Sequence, residues 1–118
     1  MKIDLTIKRV YDPPAKADGQ RVLVDRLWPR GLSKDKAELT LWLKEIAPST
    51  ELRKWFDHDP AKWTEFQRRF RAELDESGEA VDELRGLIAK GKVTLLYSAH
   101  DETHNNAVAL AAYLKEKA

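Results

Sequence analysis

The chain has 118 residues, 42% hydrophobic and 35% charged, with a formal net charge of +1 and no cysteine. Its length suits a single domain over 1–118 with one buried core, and the missing cysteine excludes disulfides, thiolate nucleophiles, Cys-based zinc sites and iron–sulfur clusters. No apolar run approaches the roughly 20 residues that cross a bilayer, and the opening M-K-I-D-L-T-I-K alternates charge with apolar residues, so no membrane attachment and a cytoplasmic chain are expected.

Ile3, Leu5 and Ile7 alternate with Asp4, Thr6 and Lys8, the period-2 pattern of a half-buried strand. Residues 11–19, Y-D-P-P-A-K-A-D-G, form a loop, since two prolines and a D-G pair cannot continue a ladder. R-V-L-V-D-R-L-W at 21–28 is apolar on both faces until Asp25 and Arg26, which predicts a central strand covered on both sides and stopped by Pro29 and Gly31. Residues 38–46, E-L-T-L-W-L-K-E-I, satisfy two templates. Leu39, Leu41 and Leu43 alternate as in a strand, while Leu39, Trp42, Leu43 and Ile46 also form a helical stripe; the strand reading is preferred.

Ser49 or Thr50 can cap a short helix through Asp57. Asp59-Pro60 is an N-cap followed by proline at the first helical position, opening a helix with Trp63, Phe66, Phe70 and Leu74 on one apolar stripe. A further helix carries Val81, Leu84, Leu87 and Ile88 and ends at Gly91. V-T-L-L-Y at 93–97 reads as a second buried strand, and a last helix from about Glu102 to Lys117 turns Ala107, Val108, Leu110, Ala111 and Leu114 inward. Strands alternating with helices predict an α/β fold, a small mostly parallel or mixed sheet of about four strands covered by helices.

In open α/β sheets, ligands occupy the crevice beyond the carboxyl ends of the strands. Two stretches answer that description: D-R-L-W-P-R-G after the second strand and S-A-H-D-E-T-H-N-N after the last. If these strands are parallel neighbours, both loops share one edge. Arg26 and Arg30 bracket Trp28, and a planar guanidinium holds carboxylate or phosphate through paired hydrogen bonds. The unpaired N–H groups of the last helix would also favour an anion. The alternative is that Asp25 and Arg26 pair within the sheet and Trp28 is simply core.

H-D-E-T-H at 100–104 superficially suggests the zinc-protease pattern H-E-x-x-H, but Glu102 stands two residues after the first histidine, where that pattern requires one. No metal is assigned. Asp101 or Thr103 can cap a solvated helix start, while His104, placed three and four residues before Ala107 and Val108, should face the sheet edge as an acid/base or ligand-binding residue. His58 lies at a junction of two helices, where a capping role accounts for it. Ser98 lacks the G-x-S-x-G context of a nucleophile.

The net charge conceals a gradient: residues 1–36 hold nine Lys/Arg against five Asp/Glu, and residues 73–102 hold three against eight. Nucleic acid is a possible partner through the basic first third together with Arg68, Arg69 and Arg71, but the net charge gives it no support, and Glu65 reaches Arg68 and Arg69 at helical spacing. A protein-interaction domain is a third reading. Oligomeric state and cofactor are not readable.

Taken together, R-V-L-V-D-R-L-W-P-R-G-L-S-K, W-L-K-E-I-A-P-S-T-E-L-R-K-W-F-D-H-D-P, W-T-E-F-Q-R-R-F and V-T-L-L-Y-S-A-H-D-E-T-H-N-N-A-V resemble the YeaO-like proteins, small bacterial and archaeal members of a domain-of-unknown-function family. The resemblance runs from about Lys8 to Leu114 and implies an α/β fold without an established activity. Its blocks coincide with Asp25, Arg26, Trp28, Pro29, Arg30 and Gly31 in the first loop. In the middle they include Trp42, Pro48, Ser49, Leu52, Arg53, Trp55, Phe56 and His58, and at the last helix Asp101, Glu102, His104 and Asn105. His100 departs from the pattern, where Arg or Lys is more usual. The expected site therefore binds a small anion, a nucleotide or phosphate-like compound, through Asp25, Arg26, Trp28, Arg30, Arg53, His58, Asp101 and Asn105. His104 is its candidate acid or base.

Overall fold

The computed structural model describes residues 3–116. Strands β1 (Leu5–Arg9), β2 (Gln20–Leu23), β3 (Leu41–Trp42) and β4 (Val93–Tyr97) form one all-parallel sheet in the order β1-β4-β2-β3. Every residue of β4 is buried, because it is hydrogen-bonded on both sides and covered on both faces. Successive side chains on a strand point to opposite faces. Thus Val22, Leu95 and Tyr97 join the main core, while Leu23 and Leu96 meet a smaller cluster with Val10, Trp28, Leu32, Leu39 and Trp42.

The main face is covered by α2 (Thr50–Phe56), α3 (Trp63–Glu76), α4 (Gly78–Lys90) and α5 (Asn106–Glu116), whereas the short α1 (Lys34–Ala37) belongs to the segment over the other face. The caps follow from side-chain chemistry. Ser49 Oγ accepts the Leu52 N–H at 3.1 Å and Asp59 accepts the Ala61 N–H at 3.0 Å, opening a short 3-10 turn that leads into α3. Phe66, Phe70 and Leu74 recur on one face of α3 and are fully buried, each worth about 1.5–3 kcal/mol in transfer free energy.

Four expectations need correction. The segment 38–46 is strand only at Leu41–Trp42 and then turns into a 3-10 helix at Lys44–Ile46, so each of its two periodic patterns is realised over part of its length. The predicted strand 21–28 leaves the ladder after Leu23, with Val24 N–H still donating to Leu96 O, and Asp25 onward turns out of the sheet. The last helix begins at Asn106, not near Glu102, because Asp101 accepts the N–H groups of Thr103 and His104 and folds that stretch into a turn. Ile7 is 36% exposed, whereas Leu5, on the same face of the edge strand β1, is buried, so the inward pattern of this strand holds only at its start.

At the amino edge of the sheet, Asp18 receives Arg21 at 2.6 Å and Lys8 at 3.1 Å, and both Asp18 and Arg21 are buried. Ala37 C=O accepts two further N–H groups of Arg21. Burial opposes the Asp18 charge, but the Ala15 N–H, Lys8 and Arg21 outweigh it and hold the carboxyl below its ordinary range.

Candidate anion site at the carboxyl edge of the sheet

Because β2 and β4 are parallel neighbours, which was the condition for the two loops to share one edge, the loops that follow them emerge side by side. Between these loops, the start of α5 and the ends of α2 lies a cleft of ≈ 190 Å³. Asp25, Arg26, Trp28, Arg30, Arg53, His58, His104 and Asn105 line it. Asp101, the remaining expected residue, stands behind His104 and does not reach the cleft wall.

Asp25 and Arg26 do not pair with each other. The Asp25 carboxylate accepts Ser98 N–H at 2.9 Å and Ser98 Oγ–H at 2.7 Å on Oδ2, and Asn106 Nδ2–H at 3.1 Å on Oδ1. Burial raises its pKa, while these donors and the field of Arg53 pull it back. Arg26 turns the other way and donates to Pro48 O and Ala47 O, both at 3.2 Å, through Nε and Nη2. Pro48 is itself set by Ser49, whose N–H and Oγ–H both donate to Glu73 of α3 at 2.8 and 2.6 Å. Trp28 is half-buried against the second face, packed edge-on to Trp42 and donating Nε1–H to Leu32 O. It thus serves both as packing and as cleft wall. Tyr11 Oη–H, donating to Arg30 O at 2.7 Å, ties the first loop to the end of β1.

Among the described residues, Arg26, Arg30 and Arg53 have no ion-pair partner, whereas Arg68 and Arg69 share Glu65 and Arg71 meets Glu116. Arg68 and Arg69 hold the exposed Glu65 carboxyl at about 2. The run that suggested nucleic acid is therefore internally paired, and Arg69 also lies over the Trp55 ring at 4.3 Å.

His104 Nδ1 lies 3.0 Å from Asp101 Oδ2 and 3.0 Å from Thr103 Oγ1, and its ring meets Trp63 edge-on at 5.3 Å. The N–H groups of Thr103 and His104 hold the Asp101 carboxyl at about 2. An ionised acceptor at Nδ1 favours the tautomer with its proton there, which leaves Nε2 as the lone-pair nitrogen. Asn105 is buried and works as the cap of α5, with Oδ1 accepting Val108 N–H and Nδ2 donating to Asp101 O. Asp57 and His58 both adopt left-handed backbone angles, φ 48° and 54°, a turn that returns His58 to the cleft from the end of α2. His100 and Glu102 are exposed and away from the cleft; among the described residues no group of three or more His, Cys, Asp or Glu could hold a metal ion.

Sequence reasoning missed Ser98 and Asn106 as the partners of Asp25, Pro48 as the anchor of Arg26, and the apolar wall of Phe56 and Phe66. Ser98 and Asn106 carry a usable signal, being the first polar residue after β4 and the residue opening α5. Phe66 offers none, since its helical stripe reads only as core.

Residues 4–118 match the family model described as the inactive DUF488-N3 subclade. The uncharacterized protein YeaO of Escherichia coli (strain K12) is 44% identical over 113 residues, covering 96% of this chain and 98% of that protein. An uncharacterized protein of Mycobacterium tuberculosis (strain ATCC 25618 / H37Rv), Rv3073c, is 42% identical over 108 residues, covering 92% of this chain and 91% of its own. No solved structure matches. With near-complete coverage in both directions, the chain belongs to the YeaO-like DUF488 family, within the subclade described as inactive.

Proposed function

We propose that this protein is a cytoplasmic, non-catalytic domain that binds a small anionic ligand, a nucleotide or another phosphate-like compound, at the carboxyl edge of its sheet. The observation that carries the reading is the set of three arginines, without ion-pair partners among the described residues, around one cleft, whereas Arg21, Arg68, Arg69 and Arg71 are each paired with a carboxylate. A charge left unpaired at a concave site is available for a ligand, and a guanidinium fits the oxygens of a phosphate or carboxylate. Arg26 enters this role already oriented by two carbonyls, so little side-chain freedom is lost on binding. The family description, inactive, supports binding in preference to turnover. In that role the Asp101–His104 pair supplies an oriented imidazole as a polar contact.

Thermal unfolding of wild type, Arg26→Ala and Arg53→Ala against nucleotides, phosphates, carboxylates and divalent metals tests the proposal. A ligand at a hundred times its Kd stabilises the folded state by about 2.7 kcal/mol, so a phosphate compound is expected to raise the wild-type midpoint by several degrees. Both variants should lose most of that rise, and Arg68→Ala should keep it. A panel that leaves wild type unmoved, or that moves all four proteins equally, contradicts the assignment.

A further inference from the structure

The environment of Asp25 bears on which anions fit. An ionised carboxylate offers about four acceptor positions and no donor. Three are filled here: Ser98 N–H and Ser98 Oγ–H on Oδ2, and Asn106 Nδ2–H on Oδ1. The remaining position is on Oδ1, in a residue that lines the same cleft as Arg26 and Arg53. An anion drawn in by the arginines therefore meets a negative acceptor. That meeting is repulsive unless a proton lies between the two, in which case it becomes a short, charge-assisted O–H···O⁻ bond. A site with a fixed acceptor discriminates strongly against analogues that cannot donate to it.

We propose that the cleft selects phosphate species carrying their own O–H donor, hydrogen phosphate or a hydroxylated phosphate compound, over anions of equal charge and similar size that have none. This rests on the anion-site reading above. Burial of Asp25, which disfavours its bare charge, fits an acceptor awaiting a proton donor.

Phosphate and sulfate test this directly, because at about pH 8 phosphate is mostly a dianion that retains one O–H while sulfate is a dianion with none. Calorimetric titration of wild type with each is expected to give a Kd for sulfate at least about tenfold weaker than for phosphate, the effect of one charge-assisted hydrogen bond. Asp25→Asn, which places an amide donor near the fourth position, should bring the two values within about threefold of each other. Arg26→Ala should weaken both anions together. Wild type binding both equally, with both weakened by Arg26→Ala, overturns the selectivity and leaves the anion site standing; wild type binding neither overturns both. A preference that survives in folded Asp25→Asn removes Asp25 from the role. If Asp25→Asn does not fold, methyl phosphate decides in wild type, being a dianion without a proton at that pH. Binding as weak as that of sulfate supports the proposal, and binding as tight as that of phosphate overturns it.

Discussion

Asp25 and Arg26 are adjacent, yet they serve different neighbours. The backbone leaves β2 there, so one side chain turns toward Ser98 and Asn106 and the other toward Ala47 and Pro48. The orientation of Arg26 then depends on a residue that never touches it. Glu73 accepts both donors of Ser49, Ser49 caps α2, and the carbonyl before Ser49 receives Arg26. Glu73→Ala strands the Ser49 N–H and hydroxyl together, and leaving such groups unsatisfied costs about 1–3 kcal/mol. The expected result is a loss of that size in urea unfolding together with weaker phosphate binding, and Glu73→Gln should recover part of both. Unchanged phosphate affinity in a folded Glu73→Ala protein would show that Arg26 is held without this chain. Arg26 and Arg30 were legible in the sequence because a rule places ligands after parallel strands, whereas Arg53, on α2, entered only through the family resemblance. Glu73 was not, because no local pattern links residues 24 apart.

At the scale of elements, the joins show how much depends on a few backbone positions. Gly19, φ 65°, leads into β2, and a Cβ there would come within 2.6 Å of Lys92 O, a carbonyl already accepting the Gln20 N–H at 3.0 Å. Gly31, φ 75°, ends the cleft loop and has nothing within 4 Å of such a Cβ. Left-handed backbone alone costs an alanine about 1–2 kcal/mol, so Gly31→Ala should lose about that much stability. Gly19→Ala should lose clearly more, since backbone atoms must move apart; equal losses by chemical denaturation would contradict the contact. The helices and the buried strand at 93–97 could be read because caps and apolar periods agreed with each other. Residues 38–46 satisfied two periods, and only the pairing of Leu41 and Trp42 with β2 decides where one gives way to the other. The late start of α5 was hidden because Asp101 can cap a helix or form a turn, and its contacts with Thr103 and His104 select the turn.

Across the whole molecule, charge is sorted by end. At the amino edge of the sheet, Lys8 and Arg21 share the buried Asp18 carboxylate, and on the outer face of α3 Glu65 occupies two arginines. Arg26, Arg30 and Arg53, which have no ion-pair partner among the described residues, line the cleft at the carboxyl edge together with Asp25. A net charge of +1 conveys none of this, because it sums ends that the fold keeps apart. Anion binding in that cleft is read out by titrating inorganic phosphate into isotope-labelled protein and following every backbone amide by NMR. The account predicts saturable shifts confined to the loop from Asp25 to Gly31, to Ser98 and to His104–Asn106. Shifts centred on Arg68 to Arg71, or none at phosphate concentrations well above the millimolar range, would contradict it.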